Sequence, residues 1–272
     1  MSHNLSRSKA ALIASETAHI LHQGFYEPVP EKRIVVRDAV RRAVEGTRSY
    51  PEGEIPAISA FSPRATQIEV VNETTFAAAK CLEEAGHKTL ALNFASAKNP
   101  GGGWKNGARA QEEFLCRNSG LSTCLYAHME FYDFHRERGG GLYSDWMLFH
   151  PDVPVFRGEY DELLAEFWTT SILTAAAPNA NAIREDDRAK ILPAFRERIH
   201  KVLAIGVEHG FDALVLGAWG CGAFGNEPKA IAPLFREALD GEFAGAFAQV
   251  SFAVLDWSDD EHFIGPFKAT FA

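Results

Sequence analysis

Two short apolar runs, Thr89-Leu-Ala-Leu-Asn-Phe94 and Asp212-Ala-Leu-Val-Leu-Gly-Ala-Trp219, each pass straight into a glycine-rich loop. Near-continuous apolar runs of this length read as strands buried on both faces, which requires helices on both sides of a sheet. The rest of the chain alternates in the same way. "QIEVVN" (67–72) reads as a strand. "ETTFAAAKCLEEAG" (73–86) reads as a helix with threonine near its start and Gly86 as its stop. "SILTAAAPN" (171–179) is a strand and 189–210 a long helix ending at Gly210. Residues 228–243 form a helix opened by Pro228, and "VSFAVLDW" (250–257) is the last strand. Strand-helix alternation predicts an α/β layer sandwich around a parallel or mixed sheet. In such sheets ligands bind beyond the strand C-termini, where both glycine loops lie.

Ahead of this alternation, residues 5–23 carry helically spaced Ala, Leu and Ile. "RIVVRDAVRRAVEGTRSY" (33–50) reads as a short strand or helix start, then a helix, and 50–64 is a turn-rich connector. Residues 110–129, beginning at the glutamate pair, read as one helix. Gly139–Gly141 read as a flexible turn.

Acidic residues outnumber basic ones, 36 to 27, for a formal charge of −9. A protein that grips a nucleic acid by its phosphates is normally basic, so direct nucleic-acid binding is not expected. Cys81, Cys116, Cys124 and Cys221 form no CxxC pair and read as reduced thiols of an intracellular protein, cytoplasmic or, in a eukaryote, nuclear. The N-terminus shows no signal peptide, and no run approaches the ~20 apolar residues that span a bilayer. His19 and His22 stand three apart on a helix with no third ligand, so no metal site is expected.

The second loop, Gly217-Ala-Trp-Gly-Cys-Gly-Ala-Phe-Gly-Asn226, lies between a strand and a helix. Successive backbone N–H groups in such a turn form a nest for an anion, and a diphosphate is the natural guest. Gly220-Cys-Gly-Ala-Phe-Gly225 also fits GxGxxG. A dinucleotide site needs an acidic residue about 20 positions on, and the next strand ends later, at Asp256. A tight turn without a ligand is the bland alternative. In the first loop, Gly101, Gly102 and Gly103 let the backbone approach a sugar or phosphate closely. Glu112 and Glu113 follow at a helix start, where the helix dipole favours ionised carboxylates. Ordinary N-terminal capping explains the same pair, with Gln111 as ordinary surface.

Taken together, "LNFASAKNPGGG", "GARAQEEFLCRNSGL", "AAAPN" and "LVLGAWGCGAFGNEP" resemble the microbial branch of the poly(ADP-ribose) glycohydrolases, whose signature is GGG, seven residues, then QEE. The resemblance implies a three-layer α/β/α macrodomain with a mixed central sheet. An N-terminal helical extension (1–60) would pack on a catalytic core (61–272) in a single globular unit. It implies hydrolysis of the ribose–ribose bonds of poly(ADP-ribose) from chain ends, releasing ADP-ribose, in the setting of a DNA damage response. No cofactor is implied. The partners implied are poly(ADP-ribose), ADP-ribosylated proteins and product ADP-ribose, with no membrane and a monomeric enzyme. Glu113 would be the catalytic acid, then base, and Glu112 would orient ribose hydroxyls at the scissile bond. Gly101, Gly102 and Gly103 would lie under the distal ribose and diphosphate, with Gln111 alongside. Gly220, Cys221, Gly222, Ala223 and Gly225 would wrap the diphosphate, and Phe224 would pack on the distal ribose. Ser96 or Asn99 would hold that ribose. Asn72 and Glu73 are candidates, by position, for reading adenine. Two rivals remain: a macrodomain that binds ADP-ribose without cutting it, and a hydrolase of mono-ADP-ribosyl groups or O-acetyl-ADP-ribose.

Overall fold

A computed structural model of the chain describes residues 5–58 and 61–272. The N-terminal part forms α1 (Arg7–Gln23), a hairpin of β1 (Phe25–Val29) and β2 (Lys32–Val35), α2 (Arg37–Glu45) and β3 (Arg48–Tyr50). There follow β4 (Gln67–Val71), α3 (Thr75–Glu84), β5 (Thr89–Phe94), α4 (Gln111–Asn118), α5 (Leu121–Tyr126) and α6 (Met129–Arg138). The second half is β6 (Met147–Arg157), β7 (Leu163–Ala175), α7 (Ile191–Glu208), β8 (Ala213–Leu216), α8 (Pro228–Asp240), β9 (Gln249–Ala253) and α9 (Ile264–Phe271).

The central sheet has seven strands in the order β3-β6-β7-β5-β8-β9-β4. β7, β5, β8, β9 and β4 run parallel; β6 is antiparallel to both its neighbours, β7 and β3, so β3 runs in the direction of the other five. The apolar runs divide between the two faces. Leu90 and Leu92 of β5, Leu214 and Leu216 of β8, and Val250 and Phe252 of β9 pack with α7, α8 and α9. Ala91, Ala213, Val215 and Ala253, of opposite parity, pack under α3. Period-two side-chain direction combined with burial on both faces makes three layers, the mixed α/β/α arrangement expected. The first 60 residues contribute more than helices, because β3 forms the edge of this sheet against β6.

Several elements differ from the sequence reading, among them β1, β3 and α6, which it did not contain. "MLFHPDVPVFR" becomes β6 although it holds Pro151 and Pro154. The ladder to β7 shifts register between His150 and Val153, and irregularities of this kind accommodate proline in a sheet. The expected single helix over 110–129 is two. Ser119 is extended and bridges Val155, and Gly120 N–H donates to Pro154 O at 2.9 Å, so β6 draws the chain out of the helix. Apolar packing on Phe252 adds α9 after the last strand.

Candidate active site

β5 and β8 are hydrogen-bonded neighbours, so the two glycine loops that follow them stand side by side at one rim of the sheet. The first loop turns at Ser96, whose Oγ accepts the Asn99 N–H at 3.1 Å. Gly102 N–H then donates to Asn99 O at 2.9 Å. Gly101 and Gly102 have φ of 73° and 58°, the left-handed region where a side chain is strained. Space forbids one as well. A Cβ on Gly101 would lie 2.6 Å from the Trp104 indole, and one on Gly102 would strike the Glu113 carboxylate. The glycines therefore bring backbone against the acids, and Gly103 N–H donates to Glu113 Oε1 at 2.9 Å.

α4 supplies both acids from its first turn. Glu112 is 3% exposed. Its Oε2 accepts the Ser96 N–H at 2.8 Å, and its Oε1 faces Asn93 Nδ2 at 3.4 Å. Burial pushes its carboxyl up to about 8, and the Glu113 charge adds to the effect against the hydrogen bond from Ser96. This corrects the expectation that the helix dipole leaves both acids ionised: loss of water around Glu112 outweighs the dipole. Gln111 is corrected too. Its Oε1 accepts Phe94 N–H at 2.9 Å while its Nε2 donates to Leu92 O and Thr75 Oγ1 at 2.7 and 3.0 Å. The amide is committed to the protein and pins α4 to the end of β5.

Asn93 was missed, although a lone asparagine inside an apolar strand was the available signal. It is fully buried and begins a polar chain that crosses the sheet. Asn93 Nδ2 donates to Thr174 Oγ1 (3.1 Å), which contacts His150 Nε2 (3.0 Å). His150 Nδ1 contacts Thr47 Oγ1 (3.0 Å), which donates to Ala43 O (2.8 Å). Burial lowers His150 to about 3, so it is neutral. Thr47 has given its proton to Ala43, so His150 Nδ1 must carry the ring proton. Nε2 then accepts from Thr174, which leaves a Thr174 lone pair for Asn93. Every donor orientation follows, ending with an N–H aimed at Glu112.

A cavity of about 690 Å³ opens above Glu113. Ser96, Asn99, Gly102, Gly103 and Phe224 line it, and it continues to Trp104, Lys105, Asn106, Tyr126, Met129 and Arg136. In the second loop, Gly220 and Gly225 take the positive φ, 75° and 69°. Among the described residues, the N–H groups of Gly222, Ala223 and Phe224 have no protein acceptor. A Cβ on Gly222 would meet nothing within 4 Å. This open, donor-rich crest is what an anion requires. Cys221 turns inward: it is 5% exposed, burial raises its thiol to about 12, and its N–H donates to Ala218 O at 3.1 Å, so it adds no donor to the crest. The adenine candidates fare differently. Both are exposed, but Asn72 is tied to Asp256, accepting its N–H at 3.0 Å and donating to its carbonyl at 2.8 Å.

Residues 14–158 match the family described as microbial-type PARG, catalytic domain, where PARG denotes poly(ADP-ribose) glycohydrolase. The chain belongs to this family. Two PARG structures from Thermomonospora curvata, a glutamate-to-alanine mutant and a complex with the inhibitor ADP-HPD, are similar at a TM-score of 0.89 with 42% identity. Each comparison covers 97% of this chain and 100% of the other. PARG from Deinococcus radiodurans in complex with ADP-ribose has a TM-score of 0.78 and 40% identity, covering 85% of this chain and 96% of that one. Among curated proteins none matches the chain. In this chain Gly102, Gly103 and Glu113 line one cavity, with Glu112 buried next to Glu113 in the first turn of α4.

Proposed function

We propose that the chain hydrolyses the ribose–ribose O-glycosidic bonds of poly(ADP-ribose), releasing ADP-ribose from chain ends, with Glu113 moving both protons. It is a glycosidase of the PARG family, and the observation that carries the reading is the Glu113 carboxyl group, held by the Gly103 N–H at the wall of the cavity beside the second glycine loop. Cleavage develops positive charge at the anomeric carbon and negative charge on the departing 2′ oxygen. Glu113 enters the step protonated, donates that proton to the departing oxygen, and as the resulting carboxylate takes one from the water that adds to the anomeric carbon. Glycosidases with two separated carboxylates divide these tasks. Here Glu112 is buried and keeps its proton near neutrality, so it serves as a hydrogen-bond donor to a ribose hydroxyl. The diphosphate lies on the free N–H groups of Gly222, Ala223 and Phe224, with the Phe224 ring and Ser96 or Asn99 at the distal ribose.

Incubation with end-labelled poly(ADP-ribose) followed by chromatography tests this. Free ADP-ribose as the first product is expected. Early oligomers would mean internal cleavage, and an intact polymer would leave a binding macrodomain. After exhaustive digestion of an automodified acceptor, single ADP-ribose marks should persist, since an amino-acid leaving group lacks the ribose that aligns the bond. Their loss at the rate of polymer cleavage would favour a mono-ADP-ribosyl hydrolase.

A further inference from the structure

The cavity above Glu113 has a second wall that the ADP-ribose loops do not explain. Of the second loop only Phe224 lines it. Beyond the glycine loops and Glu113, the lining comes from the 3₁₀ turn Trp104–Asn106, the end of α5, and Met129 and Arg136 at the two ends of α6. Tyr126 is 42% exposed there, a high value for an aromatic side chain. The Lys105 ammonium lies 4.6 Å from the Tyr126 ring centroid. Arg136 binds Asp133 through one nitrogen at 2.6 Å, and the guanidinium has further donors to offer. Met129, an adaptable thioether, completes the wall. An exposed ring with one cation against it and a second lining the same cavity is unusual on a chain of net charge −9. Aromatic rings accept nucleobases by stacking, and Lys or Arg beside them takes the phosphates.

We propose that Tyr126, Lys105 and Arg136 form a subsite for the leaving unit of the polymer, with adenine stacked on Tyr126 and its diphosphate held by Lys105 and Arg136. This rests on the polymer reading and deepens it. The terminal ADP-ribose occupies the second loop, and the bond to be cut crosses Glu113. The chain then continues over the second wall. Such a subsite aligns the departing 2′ oxygen with Glu113, and only a substrate of at least two ADP-ribose units can use it.

The test is the Tyr126→Ala, Lys105→Ala double variant, alongside Tyr126→Trp, which keeps a stacking face. All three side chains are exposed, and a thermal melt confirms folding. Calorimetry with free ADP-ribose should give wild-type affinity, because that ligand fills the other side. KM for poly(ADP-ribose) should rise about 5- to 100-fold in the double variant, the range expected for losing one stacked base. Tyr126→Trp should stay near wild type. An unchanged polymer KM would overturn the proposal, as would an equal loss of ADP-ribose affinity, which would assign the wall to the terminal unit. Absence of polymer turnover by the wild-type protein would instead refute the glycohydrolase reading.

Discussion

Glu112 and Glu113 are neighbours in sequence but occupy different surroundings, and that difference sets what each can do. Glu113→Gln keeps the shape and the Gly103 contact but cannot donate and recover a proton. Its kcat should fall ~10²–10⁴-fold, the usual value of general acid–base catalysis, with ADP-ribose affinity retained. Near wild-type turnover would remove Glu113 from the chemistry. Glu112 carries a stability signature. Its folded pKa, about 8, lies above the ordinary value of 4.5, so the folded state holds a proton that the unfolded state releases. The stability this proton confers is complete below about pH 4.5 and is lost as pH rises through about 8. Over that window each pH unit costs at most about 1.4 kcal/mol. Glu112→Gln cannot titrate, so its unfolding free energy should gain on the wild type between pH 5 and 8. Urea denaturation at several pH values measures this, and parallel curves would mean that Glu112 is ionised when folded. Gly222→Val should weaken ADP-ribose binding by filling open space over the N–H crest, which calorimetry reads. Backbone strain is not the cause, because the positive φ angles belong to Gly220 and Gly225.

At the scale of elements, α4 is held to the sheet by side chains rather than by the loop alone. Gln111 ties it to β5, and the polar chain through Asn93, Thr174 and His150 ties Glu112 to β7, β6 and the end of α2. Thr174→Val keeps the volume but removes both a donor and an acceptor. It leaves His150 Nε2 and one Asn93 N–H buried without partners, at about 1–3 kcal/mol each. The expected outcome is a loss of about 2–4 kcal/mol in chemical denaturation and a lower kcat with little change in KM, because the Asn93 amide is then free to turn its oxygen toward Glu112. A stability loss without a kcat effect would confine the chain to a structural role.

On the scale of the whole molecule, the N-terminal segment braces the site. Thr17 Oγ1 donates to Arg117 O at 2.6 Å, Arg7 Nε to Asn106 O at 3.0 Å, and Arg157 reaches back to Glu16 at 2.7 Å. β3 closes the sheet edge, and Lys201, fully buried, donates to Tyr50 O and Pro51 O. A chain starting at residue 61 should therefore fail to fold independently: it exposes β6, takes Glu16 and Thr17 from Arg157, and takes the Tyr50 and Pro51 carbonyls from the buried Lys201. Circular dichroism and limited proteolysis check this, and a cooperative native-like melt of the truncated chain would contradict it.

The local pattern of residues was enough for the alternation of β5, β8 and β9 with their helices, because strands buried on both faces must be apolar throughout. It was enough for the two glycine loops and the glutamate pair as well, since close backbone approach demands glycine and a helix start is marked locally. β6 was hidden by its prolines, because only the bulge against β7 makes room for them. The protonation of Glu112 was also beyond the sequence: its helix position favours charge, and only the packing around it removes the water that would sustain that charge. The second wall of the cavity joins Lys105 to Tyr126 and Arg136 through a helix break at Ser119 and Gly120, which exists only because β6 pairs there. Burial, register and long-range pairing are properties of the assembled sheet, and they decided how these residues work together.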